Sequence, residues 1–205
     1  LLLICNPNNP TGTRLAPEAI LDLAASAPQT LVVVDELYEA FTGDSVLPAA
    51  DFSATPNLLV FRSLSKTAGL AALRIGFAIG HPGVIDRVGR VTGPYEVNSV
   101  AVAAAFAALA DQSYVDAYVA EVLRARDWTL QALRSAGIRH HCDGGNYLLV
   151  WPKQPVAAVD AALRGEGILI RSMAGKPLVD GCFRVSIGTT SQMQRFVEAF
   201  LRLDP

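Results

Sequence analysis

Four consecutive apolar residues, Leu31-Val32-Val33-Val34, stop at two carboxylates, Asp35-Glu36. Successive side chains of a strand point to opposite faces, so a run with no polar alternation has both faces buried. Such strands sit inside parallel sheets covered by helices on both sides. Further apolar stretches at residues 1–5, 58–61 and 75–79, with a helical pattern at 17–27, repeat the theme. The first half is therefore predicted to be α/β, with a mainly parallel sheet. Ligands of open α/β sheets bind beyond the carboxyl ends of the strands, which is where Asp35 and Glu36 fall.

From residue 97 the pattern changes to long helices, predicted over 99–110 and 114–136. Tyr118, Val122, Ala125, Thr129 and Leu133 recur at helical spacing along the second, and Gly137 is placed to stop it. A smaller α+β unit follows, with strands expected at 147–151, 168–171 and 183–187 and helices at 155–164 and 191–203. The expected division is residues 1–110 in a large domain and 111–205 in a joining helix plus a small carboxyl-terminal domain.

Half of the 205 residues are hydrophobic, enough for a substantial core. A net charge of -2 leaves no basic field for nucleic acid or an acidic membrane, so a small-molecule partner is expected. Cys5, Cys142 and Cys182 lack the close spacing of zinc sites or disulfide frameworks, and no metal is expected. They read as buried, reduced thiols of a cytoplasmic protein. The longest apolar stretch, 100–110, is far short of the roughly 20 residues of a membrane helix. A strand-like pattern begins at Leu1 without an initiator Met, so the protein is expected to begin upstream.

Four short segments carry candidate chemistry. In Ser63-Leu64-Ser65-Lys66-Thr67-Ala68-Gly69, one lysine lies among small and apolar residues, and desolvation would favour the neutral amine that a carbonyl-attacking nucleophile needs. Arg74 follows eight positions later, and with the hydroxyls of Ser63 and Ser65 it suits a phosphate. Asn6-Pro7-Asn8-Asn9-Pro10-Thr11-Gly12 follows the opening strand, Asp35-Glu36-Leu37-Tyr38 follows the central one, and Arg184 interrupts the apolar Phe183-Arg184-Val185-Ser186-Ile187. Each has an ordinary structural explanation: a solvated lysine, a rigid Asn-Pro-Gly turn, an Asp helix cap and a surface arginine. Their joint order is harder to explain that way.

Together the segments resemble the fold-type I aminotransferases, whose lysine motif S-x-S/A-K is followed eight positions later by a phosphate-binding arginine. The resemblance spans almost the whole chain. It implies pyridoxal 5'-phosphate as cofactor, carried by Lys66 as a Schiff base, with Ser63, Ser65 and Arg74 on its phosphate. It further implies that Asp35 pairs with the pyridinium nitrogen, that Asn9 and Tyr38 hydrogen-bond the phenolic oxygen, and that Arg184 clamps the substrate carboxylate. A homodimer with a small-molecule amino donor and keto acceptor is implied as well.

Within that superfamily the doubled N-P-N-N-P-T-G, the D-E-x-Y-x-x-F ending at Phe41 and Leu64-Ser65-Lys66 are most similar to histidinol-phosphate aminotransferases. Gly144-Gly145-Asn146-Tyr147 and the pair Arg171 and Arg184 resemble that group's carboxyl-terminal part. The implied reaction moves an amino group between glutamate/2-oxoglutarate and imidazole acetol phosphate/histidinol phosphate, a step of histidine biosynthesis, with Arg171 and Arg184 as anion anchors. Alternatives are an aromatic or broad-specificity aminotransferase, a phosphothreonine decarboxylase-like enzyme, or a non-catalytic module of the same shape. The family's upstream phosphate loop, ring-stacking aromatic and dimer-crossing tyrosine have no counterpart in this sequence, so these residues alone are expected to have little or no activity.

Overall fold

The computed structural model describes residues 1–204 and divides into two compact units. One comprises Leu1–Asn8 and Thr13–Ala117; the other comprises Asn9–Gly12 and the chain from Tyr118 onward.

The amino-terminal unit is built on a four-stranded sheet of order β1-β2-β3-β4, from β1 (Leu2–Cys5), β2 (Val32–Asp35), β3 (Leu58–Ser63) and β4 (Gly76–Gly80). The first three strands are parallel, with Val34 opposite Ile4 on one side and Val60 on the other. Val32, Val33 and Val34 are all buried, as a run without polar alternation requires. Helix α1 (Pro17–Ser26) lays Ile20 and Ala24 against Val32, Val34, Leu58 and Val60 to close one core. Each fully buried Val or Leu there contributes roughly 1.5–3 kcal/mol of transfer free energy.

β4 runs antiparallel to β3, pairing Ser63 with Gly76. A parallel return needs a crossover, usually a helix, and the segment between these strands holds only a short 3-10 turn at Ala71–Leu73. Helix α2 (Pro82–Val91) follows, with Pro82 at its first turn and the His81 ring accepting from Gly83 N at 3.1 Å. It was not among the expected elements. Helix α3 (Ser99–Ala110) begins on Asn98, whose side chain accepts from Ala101 N at 2.8 Å. The division between units falls inside α4 (Gln112–Ser135).

The carboxyl-terminal unit has an antiparallel sheet of order β5-β6-β8-β7, from β5 (Arg139–His141), β6 (Tyr147–Trp151), β7 (Arg171–Ser172) and β8 (Phe183–Ser186). Helices α5 (Val156–Gly165) and α6 (Thr190–Leu203) complete it. Phe183 packs edge-on against Phe196 and Phe200 of α6, at 6.3 and 5.6 Å between ring centroids. The expected strand over 168–171 shrinks to Arg171–Ser172, because the preceding residues close the helix instead. Gly167, at φ 74°, and Ile168 donate their N–H groups to Arg164 O and Leu163 O. Of the cysteines only Cys182 is buried; Cys5 and Cys142 are partly exposed, and all three are free thiols.

The start of α6 is held from α4. Glu121 Oε1 accepts from Thr190 N at 2.8 Å and from its hydroxyl at 2.9 Å, while Oε2 pairs with Arg124 at 2.7 Å. The Thr190 backbone N–H, then Arg124, then the Thr190 hydroxyl hold this carboxyl down at about 2. A carboxyl lowered in the folded state adds stability that is complete above its unfolded value of about 4.5 and is lost as pH falls toward 2. Glu121→Gln should therefore lower the urea midpoint at pH 6, with the gap from the parent narrowing progressively below about pH 4. A gap independent of pH would show that the charge on Glu121 contributes nothing.

Candidate active site

Parallel β1, β2 and β3 end at one sheet edge, and antiparallel β4 starts there. Chain direction alone therefore collects Asp35 at the end of β2, Ser63 to Lys66 just beyond β3, and Arg74 just before β4. The edge is the one predicted from the sheet type.

Asp35 is partly buried, and its Oδ1 accepts from Leu37 N at 3.0 Å, so it also turns the chain as a cap would. Tyr38 is 4% exposed, and Lys66 Nζ lies 5.7 Å from the centre of its ring, within cation-π range. Lys66 is half-buried rather than enclosed. The Ser63 and Ser65 hydroxyls lie 2.8 Å apart, and Ser63 Oγ accepts from Ser65 N at 3.1 Å. Arg74 takes the left-handed conformation, at φ 56°, and donates from Nη1 to Ala71 O at 3.1 Å. The residues at this edge include the Lys66 amine, the Asp35 carboxylate, the Ser63 and Ser65 hydroxyls and the exposed Arg74 guanidinium.

Behind it lies a polar network that the sequence did not announce. The Glu36 side chain is fully buried, accepting from Val46 N at 2.7 Å, the Ser45 hydroxyl at 2.9 Å and Arg62 Nε at 2.8 Å. Arg62 also pairs with Glu39 and donates to Ser45 Oγ at 2.8 Å. Burial raises the Glu39 carboxyl above its ordinary range; Arg62 opposes that rise and Glu36 adds to it. The network ties the loop carrying Tyr38 to β3, which carries the lysine segment. The only advance signal was Glu36 beside Asp35; nothing in the sequence pointed to Arg62. A cavity of about 400 Å³ adjoins this network, walled by Glu39, Arg62, Thr67 and Phe77 among others, and neither Asp35 nor Lys66 lines it.

The remaining predicted residues belong to the carboxyl-terminal unit. Arg184 on β8 faces Arg171 on β7 directly in register, and its guanidinium lies 5.4 Å from the Tyr147 ring centre. Arg184 Nη1 donates to Asn9 Oδ1 at 2.6 Å, so any hydrogen bond that Asn9 gives to a ligand comes from Nδ2. The loop bearing Asn9 is held by Gly12, at φ 76°, where an added Cβ would lie 2.8 Å from Gly144 O and 2.9 Å from Gly144 N. Only glycine fits there. Asn9, Pro10, Arg171, Met173, Lys176 and Arg184 line a cavity of about 340 Å³. Lys176 was not singled out from the sequence.

Comparison with known proteins identifies the family. The profile of the family "Aminotransferase class I and II" matches residues 1–200. Histidinol-phosphate aminotransferase 1 of Mannheimia succiniciproducens is 38% identical over 207 residues, covering 99% of this chain and 56% of that protein. The chain thus spans a little over half the length of that relative. The crystal structure of histidinol-phosphate aminotransferase from Sinorhizobium meliloti, in complex with pyridoxal-5'-phosphate, matches with a TM-score of 0.85 at 26% identity, covering 98% of this chain and 56% of that one. L-threonine-O-3-phosphate decarboxylase from Porphyromonas gingivalis matches with a TM-score of 0.85 at 28% identity, covering 98% of this chain and 63% of that one. With the lysine, aspartate and arginine segments at one sheet edge and the family profile covering nearly every residue, this chain belongs to the class I and II aminotransferases.

Proposed function

We propose that the complete protein is a pyridoxal 5'-phosphate-dependent aminotransferase. Its proposed reaction transfers an amino group between glutamate/2-oxoglutarate and imidazole acetol phosphate/histidinol phosphate. The observation that carries the reading is the gathering of Asp35, Lys66 and Arg74 at one sheet edge by strand direction. The donor set fits this cofactor: an amine for its aldehyde, a carboxylate for its ring nitrogen, and two hydroxyls with a guanidinium for its phosphate.

When bound, the cofactor supplies a ring that takes up the electron pair left at the substrate α-carbon as its proton departs. The roles of this chain's own residues follow from their chemistry. Asp35, partly buried and held through Leu37 N, would keep a proton on the ring nitrogen. Lys66 Nζ, 5.7 Å from the centre of the buried Tyr38 ring, would take the proton from the α-carbon. Arg74, with Ser63 and Ser65, holds the cofactor phosphate. Arg184 binds the substrate's anionic group, and Asn9, fixed by Arg184, offers Nδ2 to the phenolic oxygen. Arg171 is the second anion anchor.

The relative from Mannheimia supports histidinol phosphate as substrate, and two facing arginines suit a phosphorylated ligand. A second reading, decarboxylation of phosphothreonine, is favoured by the likeness to the Porphyromonas enzyme. The test is a panel on the complete, cofactor-loaded protein. Amino transfer from histidinol phosphate to 2-oxoglutarate should exceed transfer from aromatic amino acids, with no carbon dioxide released from phosphothreonine. Release without amino transfer would establish the second reading in place of the first. Homodimeric assembly and a cytoplasmic location are proposed with the same function; no described helix is long and apolar enough to cross a membrane.

A further inference from the structure

We infer that Lys176 makes the cationic cavity of the carboxyl-terminal unit select a phosphate dianion over a carboxylate. This rests on the proposed function and names the residue that separates its two substrates. The cavity lining holds three cations, Arg171, Lys176 and Arg184, and no carboxylate. Among the described residues no acid lies within ion-pair distance of any of the three. Arg171 and Arg184 stand directly opposite each other on neighbouring antiparallel strands, an arrangement of like charges that destabilises a sheet. A bound anion would offset that repulsion.

Two guanidinium groups already satisfy a carboxylate, which carries one charge and two oxygens. A phosphate monoester near pH 7 carries close to two charges and three acceptor oxygens, leaving one oxygen and most of one charge for a further cation. Lysine supplies a compact point charge with rotatable donors, suited to a phosphate oxygen that a planar fork does not reach.

The loop that carries Lys176 is built to hold it. Met173, Val179 and Cys182 are buried in one cluster with Leu149. Lys176 N donates to Met173 O at 3.1 Å, Gly175 N to Asp180 Oδ1 at 2.9 Å, and Trp151 Nε1 to Asp180 O at 3.2 Å. The backbone under the ammonium group is therefore fixed at both ends before any ligand arrives, which lowers the ordering cost of binding.

The test uses Lys176→Met in the complete, cofactor-loaded protein. The ratio of KM for histidinol phosphate to KM for glutamate should rise about tenfold, the loss expected for one charge-assisted hydrogen bond. Inorganic phosphate, used as an inhibitor of the glutamate half-reaction, should bind about tenfold more weakly, and its gain in affinity as it becomes a dianion, between about pH 6 and 8, should flatten. Lys176→Arg should recover part of both. If KM for the two substrates rises equally, or if neither the ratio nor phosphate inhibition moves, the inference is wrong. A protein that turns over no phosphorylated amine, yet loses phosphate affinity in Lys176→Met, refutes the proposed substrate and leaves the cavity assignment standing. Turnover of histidinol phosphate with an unmoved KM ratio refutes the cavity assignment alone.

Discussion

Lys66→Ala in the complete protein is expected to abolish the visible absorbance change that follows cofactor addition and to lower turnover by roughly 10⁴-fold. The size of the effect follows from the lack of a substitute among the described residues at this edge. Lys66 is the only lysine in residues 1–117, the stretch that supplies every strand of the sheet edge holding Asp35 and Arg74. Asp35 is a carboxylate anchored to Leu37 N and Arg74 offers a guanidinium, so neither supplies a nucleophilic amine. Lys66→Arg should be equally inactive for the same reason, which separates loss of the amine from loss of charge. Absorbance titration and single-turnover measurements check both variants. Retention of spectral change and turnover by Lys66→Ala would place the chemistry on another group.

Arg62→Met is expected to destabilise the fold by about 3 kcal/mol, read as a shift of the urea midpoint at pH 7. Its partner Glu36 has no exposed side-chain surface, so removal of the guanidinium leaves a buried carboxylate supported only by Val46 N and the Ser45 hydroxyl. Those two bonds satisfy lone pairs but do not neutralise charge. The double variant Glu36→Gln/Arg62→Met should recover more than 1 kcal/mol of the loss, because the uncompensated charge goes with the carboxylate. If Arg62→Met behaves like an exposed ion pair, with a cost below about 1 kcal/mol, the network does not hold the Tyr38 loop as described.

The parallel core was legible because Val32, Val33 and Val34 admit one environment, buried on both faces between two neighbours, and that is where β2 lies. The direction of β4 was not legible from its apolar run, since periodicity carries no sign. The missing helix between Ser63 and Gly76 carried that information. Helix α2 had readable signals, Pro82 at its first turn and Val84, Val88 and Val91 at helical spacing, but Gly83 and Gly89 interrupt the pattern. The Ile168-Leu169-Ile170 run looked like a strand because it is apolar, but Gly167 and Ile168 are committed to ending α5. Among the proposed site residues, Lys66, Asp35 and Arg74 were singled out through the resemblance of short contiguous segments to the fold-type I aminotransferases, since each alone has an ordinary structural explanation. Lys176 and Arg62 were not, because their partners are set by strand pairing and loop packing far from them in sequence.

The bond between Asn9 and Arg184 joins residues 175 positions apart, and this separation sets an order on the protein's synthesis. The four strands of the amino-terminal sheet are all present once residue 80 has been made. The carboxyl-terminal unit, in contrast, draws on Asn9–Gly12 and on β8, which lie far apart along the chain. During synthesis the strands of the amino-terminal sheet can pair before β8 exists, whereas the loop bearing Asn9 gains its Arg184 partner only after β8 has been made.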